Sequence, residues 1–329
     1  MDNSVRNLLD YLAADPPRVT QRWQAWQITP ITGGANNLLY RATTAQMDYA
    51  IKFTVRDERN RAQREYVALC ALQEAGLTVA PRAIWSDHQR YPQPVVVQTW
   101  LAGTTLTGSP QTPLEWDALM RHYCTIHTLT PAQTTLQLAE ATLNVASGTA
   151  GKALIQDHIE RIPVSARPAS LQTLLTWFAT WTPPTWPAPP RALCRVDANW
   201  RNFIKRDHGW ASVDWENSGW GDPAFELADL MTHPAYDPMS ATHWQTLIHA
   251  YAQQMADSTA VLRVYTYYTI MLVWWAVRWA RYLYEVPRGL DARLVERPAN
   301  WQQETQQKYK QHMARLAEHI AALNDEGLI

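Results

Sequence analysis

The chain has 329 residues, of which 47% are hydrophobic, and its 29 basic and 30 acidic residues give a formal net charge of −1. This length is enough for a large buried core in two modest domains or one bilobal unit. The nearly neutral charge provides no basic field, so we expect no nucleic-acid partner. The three cysteines lie far apart in the sequence, which suits neither a disulfide framework nor a zinc site and favours a reducing compartment.

The sequence predicts neither a secretory signal nor a membrane span. Residues 1–14 carry acids among their apolar residues and have no continuous hydrophobic run. The longest uncharged apolar segment, residues 264–277, is too short to cross a bilayer. We therefore expect a cytoplasmic protein without a membrane partner.

The first predicted elements are a helix and then two strands joined by a glycine turn. Four apolar residues recur at helical spacing before the prolines at positions 16 and 17: Val5, Leu8, Leu9 and Leu12. Residues 26–42 predict two strands with Gly33 and Gly34 between them. Paired glycines let backbone N–H groups approach a phosphate closely, although the same pair also forms ordinary hairpin turns.

The next two predicted elements are a strand that contains a lysine and a helix that contains a glutamate. Residues 48–54 alternate like a strand and place Lys52 on the face opposite the larger apolar side chains. Residues 59–75 predict a helix with Glu65 on its apolar side. A carboxylate on such a face needs a cation, because an unpaired buried charge is costly, and Lys52 is the natural candidate. The alternative is that both residues are on the surface.

The middle of the chain is predicted to contain the connection between two lobes. Residues 94–103 form a β-branched strand that runs into a glycine, and we place the lobe boundary near residue 103. Residues 115–129 predict a helix whose apolar side includes His127, which we interpret as a satisfied core residue. Two further helices are expected within residues 152–181, before a stiff proline-rich linker over residues 182–190.

The chain after residue 230 is predicted to be helical, with helices over residues 242–255, 258–285 and 301–324. Trp275, Trp279 and Tyr282 form a stripe along one of them. The ordinary interpretation of this stripe is a packed core. The alternative is an aromatic wall beside a cationic substrate.

Three polar residues stand out between the linker and the C-terminal helices. A mostly apolar run leads into Asp197, Asn202 follows five residues later, and Asp214 closes a second apolar run. Residues 203–213 predict a hairpin, so Asn202 and Asp214 would emerge at the same end. Phosphoryl transfer needs a carboxylate facing the attacking hydroxyl and hard oxygen ligands for Mg²⁺, which these residues supply. The alternative is that the two aspartates only cap turns.

This pattern resembles the aminoglycoside phosphotransferase and choline kinase-like family. Its members read roughly H-G-D-x-x-x-x-N and then I-D-W-E-x-x-x-x-G-D-P-A-x-D-L-A, and residues 213–228 of this chain read V-D-W-E-N-S-G-W-G-D-P-A-F-E-L-A. Three residues depart from the family pattern: Arg195 replaces His, Val196 replaces Gly, and Glu226 replaces Asp. The first two would change how the loop is braced or place a fixed cation near the phosphates.

The resemblance covers nearly the whole chain and implies a protein kinase-like α+β fold with two lobes. Residues 1–102 would form an N-lobe of a small sheet and a helix, and residues 103–329 a mainly helical C-lobe. The implied activity is transfer of the γ-phosphate of ATP to a hydroxyl group of a small molecule. Mg²⁺ is the implied cofactor, and GTP is the other candidate nucleotide.

The resemblance also implies roles for particular residues. Asp197 would be the catalytic carboxylate, with Asn202 and Asp214 as the Mg²⁺ ligands. The implied nucleotide-binding residues are Gly33, Gly34, Asn36 and Asn37 in the phosphate-covering loop, Lys52 and Glu65 as the pair that positions the α and β phosphates, and Gln98, Thr99, Trp100 and Leu101 in the connector next to the adenine.

The acceptor alcohol is less well defined. A cationic amino alcohol or an aminoglycoside would explain the acidic residues that follow the metal-binding strand, which are Glu216, Asp222, Glu226, Asp229 and Asp237. A neutral sugar is the alternative, because acids are also favoured at turns and helix starts.

Two other functions compete with phosphate transfer as explanations of this sequence. A catalytically weak nucleotide-binding or sensing protein of the same fold is suggested by Arg195 and Val196. The enzyme is favoured by the joint retention of five residues, since a binding module needs no base at Asp197: Lys52, Glu65, Asp197, Asn202 and Asp214. A dinucleotide-dependent oxidoreductase is disfavoured because no G-x-G-x-x-G motif opens a helix after a strand.

Overall fold

The structure is a computed structural model and describes residues 2–31, 37–236, 239–291 and 293–325. The N-terminal part is an antiparallel sheet with a helix on each face, and the C-terminal part is mainly helical. This is the α+β architecture that the sequence predicts.

The N-terminal sheet has six strands: β1 (Gln21–Trp23), β2 (Trp26–Ile31), β3 (Leu38–Thr43), β4 (Asp48–Phe53), β5 (Ala83–Asp87) and β6 (Val95–Thr99). They are antiparallel in the order β1-β2-β3-β4-β6-β5. Successive side chains of a strand point to opposite faces. Ile51 and Phe53 of β4 therefore enter the core on one face, and Lys52 lies on the other.

One helix covers each face of this sheet. Helix α1 (Asn3–Ala14) begins after Asp2, whose side chain accepts a hydrogen bond from the backbone N–H of Ser4 at 3.2 Å. Its four predicted apolar residues are buried in the core that includes the apolar side of β4. Helix α2 (Arg61–Glu74) packs on the other face and carries Glu65 on its buried side.

A second core joins α2 to the C-terminal part. Leu69 and Leu72 of α2 pack with Ile126, Leu193 and Trp215. This shared apolar surface fixes α2 relative to the segment that follows Leu193, which contains the candidate catalytic residues.

The described C-terminal residues form seven helices: α3 (Pro113–His127), α4 (Gly148–Glu160), α5 (Ala169–Thr180), α6 (Pro223–Thr232), α7 (Ala241–Gln254), α8 (Ala260–Glu285) and α9 (Trp301–Asp325). Two small sheets accompany them. The first contains β7 (Thr104–Thr105), β9 (Phe203–Arg206) and β10 (Gly209–Ser212), and the second contains β8 (Ala192–Cys194) and β11 (Gly219–Gly221). The predicted helices agree with α3, α4, α5, α7, α8 and α9 to within a few residues at their ends.

The chain passes from the first sheet to the C-terminal part between Thr99 and Thr104. The predicted lobe boundary near residue 103 falls in this passage. The division into residues 1–102 and 103–329 stays a prediction.

Helix α8 forms the centre of the C-terminal core, where it packs against α4, α6 and α9. By length and composition, residues 260–288 are apolar enough to cross a membrane, but 72% of that apolar window is buried inside the fold. Packing in the core accounts for the apolar character of α8.

Gly219 lies where β11 contacts the segment over residues 139–141. The backbone N–H of Ala141 donates to the Trp220 carbonyl at 2.9 Å, and the N–H of Trp220 donates to the Ala139 carbonyl at 3.0 Å. A Cβ atom on Gly219 would overlap the backbone of this segment. Because β11 pairs with β8, this contact also supports the strand that leads to Asp197.

We expect Gly219→Ala to lower the free energy of unfolding by about 1–3 kcal/mol, because backbone atoms cannot move aside as a flexible side chain does. Gly108→Ala is the matched control, since a Cβ at Gly108 meets no atom within 4 Å. Chemical denaturation of both variants measures the difference. Equal stability of the two variants would contradict the steric argument.

Candidate active site

The loop after β8 presents Asp197 through two residues with a left-handed backbone. Val196 has φ of 55° and Asp197 has φ of 88°, a region that is unfavourable for a β-branched residue. The backbone N–H of Val196 donates to Glu226 Oε1 at 2.7 Å. The Arg195 guanidinium donates to the carbonyl oxygens of Asp197 and of Val213, the latter at 3.2 Å. These hydrogen bonds hold the loop in its strained conformation.

Two of the departures from the family pattern therefore act as braces for the loop. Arg195 is fully buried, and its guanidinium carbon lies 4.9 Å from the centre of the Phe203 ring. Glu226 also contacts His127 Nε2 at 2.9 Å, and His127 Nδ1 lies 2.8 Å from the Tyr251 hydroxyl. The prediction that His127 is a satisfied core residue is confirmed.

The Asp197 carboxylate is held in place but remains accessible, with 30% of its side chain exposed. Its Oδ2 accepts a hydrogen bond from Asn202 Nδ2 at 3.0 Å, and its Oδ1 accepts one from the backbone N–H of Asn199 at 3.2 Å. Burial raises the pKa of Asp197, and the opposing charge of Arg195 only partly offsets this effect. A positioned, accessible carboxylate with a raised pKa is suited to accept a proton.

The hairpin of β9 and β10 brings Asn202 and Asp214 to the same end, as predicted. Phe203 pairs with Ser212 in the hairpin, and the backbone N–H of Val213 donates to the Asn202 carbonyl at 2.9 Å. Asp214 follows directly, with φ of 65°. Burial raises the pKa of the Asp214 carboxyl; the charge of Lys52 opposes this shift, and nearby carboxylates add to it.

Lys52 lies among three carboxylates, and its side chain is 6% exposed. Its Nζ atom lies 2.9 Å from Glu65 Oε2 and 3.0 Å from Glu216 Oε2, and it also contacts Asp214 Oδ1. The ion pair of Lys52 with Glu65 is therefore present. Burial alone would lower the pKa of Lys52, but the three negative charges outweigh it and hold the pKa well above the usual value.

Sequence reasoning missed Arg61 and the structural role of Glu216. Arg61 is buried and donates to Glu216 Oε1, while Asn37 Nδ2 donates to Glu216 Oε2 at 2.5 Å. Burial would raise the pKa of Glu216, but Lys52 and Arg61 lower it on balance. The available signal was helical spacing, because Arg61 lies four residues before Glu65 and hence on the same side of α2.

The other predicted nucleotide-binding residues are only partly described. Gly33, Gly34 and Asn36 lie outside the described residues. In the connector, the backbone N–H of Thr99 donates to the Arg82 carbonyl at 3.0 Å, and that of Trp100 donates to the Asp48 carbonyl at 2.9 Å. These two groups are engaged within the fold, and contact of Gln98, Thr99, Trp100 and Leu101 with adenine stays a prediction.

The acids after Asp214 have mostly internal partners. Asp222 accepts from the backbone N–H of Ala224 at 2.9 Å, forms an ion pair with Arg263 at 3.2 Å, and accepts from the Tyr267 hydroxyl at 3.0 Å. Glu216 and Glu226 are bonded as described above, and Asp237 lies outside the described residues. Asp222 is thus a brace of the start of α6.

Asp229 differs from these acids because its Oδ1 atom is buried without a hydrogen-bond partner among the described residues. Burial, together with the charges of Asp197 and Glu226, raises the pKa of Asp229 to about 7. The ionised form of this carboxyl is therefore costly in the folded protein.

Comparison with known proteins agrees with this architecture. Residues 27–265 match the family described as the phosphotransferase enzyme family, which is more than half of the chain. The chain belongs to this family. No curated protein matches the chain.

Several solved structures are similar in fold. The choline/ethanolamine kinase family protein from Mesorhizobium loti is 20% identical over 95% of this chain and 94% of its own, with a TM-score of 0.63. Choline kinase LicA from Streptococcus pneumoniae is 17% identical over 95% of this chain and 100% of its own, with a TM-score of 0.58. A thermostable mutant of aminoglycoside phosphotransferase APH(4)-Ia, in a ternary complex with ADP and hygromycin B, is 12% identical over 87% of this chain and 93% of its own, with a TM-score of 0.55. These similarities confirm the protein kinase-like α+β fold.

We expect Lys52→Met to destabilise the protein by about 3–5 kcal/mol, because it leaves buried carboxylates without their cation. Adding Glu65→Gln to this variant should restore part of the loss, since it removes one of the unpaired charges. Lys205→Met is the control: Lys205 pairs with Glu115 at a site where its side chain is 40% exposed, and such pairs contribute about 1 kcal/mol or less. Urea denaturation of the variants gives the values, and similar losses for Lys52→Met and Lys205→Met would contradict this account.

A second prediction concerns the pH dependence of stability. The folded-state pKa of Asp229, about 7, lies above its ordinary value of 3.8, so the folded protein keeps a proton that the unfolded chain releases. The stability from this proton is fully present below the ordinary pKa and is lost as the pH rises to about 7. Asn mimics the protonated carboxyl. The melting temperature of Asp229→Asn should therefore exceed that of the wild type at about pH 8, and the difference should shrink by about pH 5.

The exposed Asp117→Asn variant controls for the loss of one negative charge. A difference between Asp229→Asn and the wild type that stays constant over this pH range would rule out the titration of Asp229 as its cause.

Proposed function

We propose that the protein transfers the γ-phosphate of ATP to a hydroxyl group of a small molecule. The observation that carries this proposal is the Asp197 carboxylate, which is accessible, is held by Asn199 and Asn202, and lies near enough to Asp214 for its charge to raise the pKa of Asp214. Membership in a phosphotransferase family supports it, as do the ADP and hygromycin B bound to a structural neighbour. Such an enzyme would work in the cytoplasm, where ATP is available, without a nucleic-acid or membrane partner.

One residue would act on the acceptor alcohol, and a separate group would bind the nucleotide. Asp197 would orient the acceptor hydroxyl and accept its proton as the oxygen attacks phosphorus. Lys52, positioned by Glu65 and Glu216, would contact the phosphates of the nucleotide. The predicted glycine loop and Asn37 would cover these phosphates, and either ATP or GTP is compatible with backbone contacts in the connector.

The donor set at Asn202 and Asp214 fits Mg²⁺, which prefers carboxylate and amide oxygens. The pKa of Asp214 is raised by burial despite Lys52 and is raised further by the charges of Glu216 and Asp197. This excess of negative charge favours a cation at Asp214. When bound, Mg²⁺ would neutralise charge on the phosphates during transfer. The group formed by Glu65, Asp214 and Glu216, whose oxygens lie within 4.8 Å of one another, already surrounds the Lys52 ammonium.

A cationic acceptor has less support than the sequence suggested. Glu216, Asp222 and Glu226 are engaged with donors or cations of the chain itself. They are therefore not available to attract an amine. Two structural neighbours are nevertheless a choline/ethanolamine kinase family protein and a choline kinase. Cationic alcohols are therefore included among the acceptors to be assayed.

The alternative is a catalytically weak nucleotide-binding protein. Arg195 and Val196 suggest it because they replace the usual family residues His and Gly before Asp197. Arg195 braces the loop, Glu226 holds the backbone N–H of Val196, and 30% of the Asp197 side chain stays exposed. A loop held in this way supports catalysis rather than its loss.

We expect Asp197→Asn to leave nucleotide affinity nearly unchanged and to lower turnover by roughly 10² or more, the scale of positioned acid–base catalysis. ADP release is measured with a library of sugars, amino alcohols and aminoglycosides, and nucleotide affinity by calorimetry. Asp207→Asn is the control, because Asp207 is exposed in the β9–β10 turn. If nucleotide binding collapses while turnover per bound nucleotide is unchanged, the role given to Asp197 is wrong.

A further inference from the structure

The aromatic stripe of α8 lies next to the proposed catalytic residue. His233 Nε2 is 3.7 Å from Asp197 Oδ1, and the His233 ring meets the Trp275 ring edge to face, with the centroids 5.2 Å apart. Trp275 stacks on Trp279 at 5.3 Å. The stripe therefore begins beside the position where the acceptor hydroxyl would lie.

Basic groups of the chain already occupy the faces of these rings. Lys308 Nζ lies 5.3 Å from the centre of the Trp279 ring, and the Arg278 guanidinium carbon lies 5.3 Å from the centre of the Tyr282 ring. One face of Trp275 is covered by Trp279. A cationic ligand would have to displace these groups and would be repelled by them. This arrangement argues against the interpretation of the stripe as a wall for a cationic substrate.

Arg278 and Lys308 form no ion pair among the described residues. The acids on the neighbouring elements have other partners: Glu285 pairs with Arg281 at 2.7 Å, and Asp291 pairs with Arg297. Burial lowers the pKa of Arg278 and the charge of Arg281 adds to this effect, while the charges of Asp291 and Glu285 offset it only in part. We give the name α8 cluster to Trp275, Arg278, Trp279 and Tyr282 of α8 together with Lys308 of α9, a group in which two cations have no direct ion pair among the described residues.

The α8 cluster also contains hydrogen-bond donors without acceptors. Arg278 Nη1, Trp275 Nε1 and Trp279 Nε1 are enclosed and have no hydrogen-bond partner in the described part of the chain. An enclosed donor without an acceptor is costly, and a charged donor more so. Oxygen atoms of an anion satisfy both the donors and the positive charge.

We propose that the α8 cluster binds an acidic group, a carboxylate or a phosphate, on the alcohol that Asp197 phosphorylates. This inference rests on the proposed function and names its substrate class. Arg278 and Lys308 bind the acidic group, while the hydroxyl at the other end of the molecule faces Asp197. His233 links Asp197 to Trp275, and Arg278 follows Trp275 by about one helical turn, so the two ends of the acceptor are on the order of 10 Å apart, which is the length of a sugar acid or a sugar phosphate.

The test compares derivatives of one six-carbon sugar that are negatively charged, neutral or positively charged. Gluconate and glucose 6-phosphate carry the acidic group, glucose is neutral, and glucosamine is cationic. Binding is measured by calorimetry with Mg²⁺ and ADP present, and phosphate transfer by ADP release from ATP. We expect at least one of the acidic compounds to bind about 10- to 100-fold more tightly than glucose and glucosamine, the range for a hydrogen bond to a charged group.

Variants assign this preference to the cluster. Arg278→Gln should weaken binding of the acidic compound about tenfold or more and leave the affinity for ADP and glucose unchanged, whereas Arg278→Lys should keep part of the preference. Lys310→Gln is the matched control, since Lys310 is exposed on α9 two residues after Lys308. If Arg278→Gln does not fold, Lys308→Gln tests the same prediction.

Two outcomes separate this inference from the proposed function. Phosphate transfer with equal or tighter binding of glucose or glucosamine, or an acid preference unchanged in Arg278→Gln and Lys308→Gln, overturns the acidic acceptor and leaves the phosphotransferase standing. Binding of acids that depends on Arg278, without ATP-dependent phosphate transfer to any alcohol, supports the anion site and counts against the proposed function.

Discussion

The buried ammonium group of Lys52 joins carboxylates from two distant parts of the chain. Glu65 comes from α2 in the N-terminal part, and Asp214 and Glu216 follow the β9–β10 hairpin in the C-terminal part. A buried charge is tolerated only with close partners, so these contacts require the two parts to approach each other. The apolar core between α2 and Trp215 supports the same approach. The position of the candidate phosphate site follows from this arrangement.

The loop that carries Asp197 depends on a second set of buried charges. Arg195 and Glu226 bind backbone groups on either side of Asp197, at the carbonyl oxygens and at the Val196 N–H. Val196 adopts an unfavourable backbone conformation for its residue type, which persists because these partners fix it. Arg195 and Glu226 depart from the usual family residues, and each fills a space in which it has hydrogen-bond partners. Both side chains thus support the loop that presents the Asp197 side chain, of which 30% is exposed.

The sequence by itself determined much of the fold. Helical periodicity located α1 and the helices of the C-terminal part, and strand alternation placed Lys52 opposite Ile51 and Phe53, because these patterns depend only on local geometry. The need of a buried carboxylate for a cation identified the pair of Lys52 with Glu65. The spacing of Asp197, Asn202 and Asp214 identified the candidate site through its resemblance to a known family.

The tertiary structure alone decided which charges meet across the fold. From the sequence, Glu216 and Asp222 could either attract a cationic acceptor or brace the fold, and in the structure Lys52, Arg61 and Arg263 neutralise them inside the protein. Charges far apart in sequence have no periodic signal that pairs them, because their contacts depend on how helices and loops pack. The same is true of Arg278, which forms no ion pair with the residues that the structure describes, because the nearby acids Glu285 and Asp291 pair with Arg281 and Arg297. Sequence therefore determined the local elements and the chemical groups, and packing decided which of those groups remain free for a substrate.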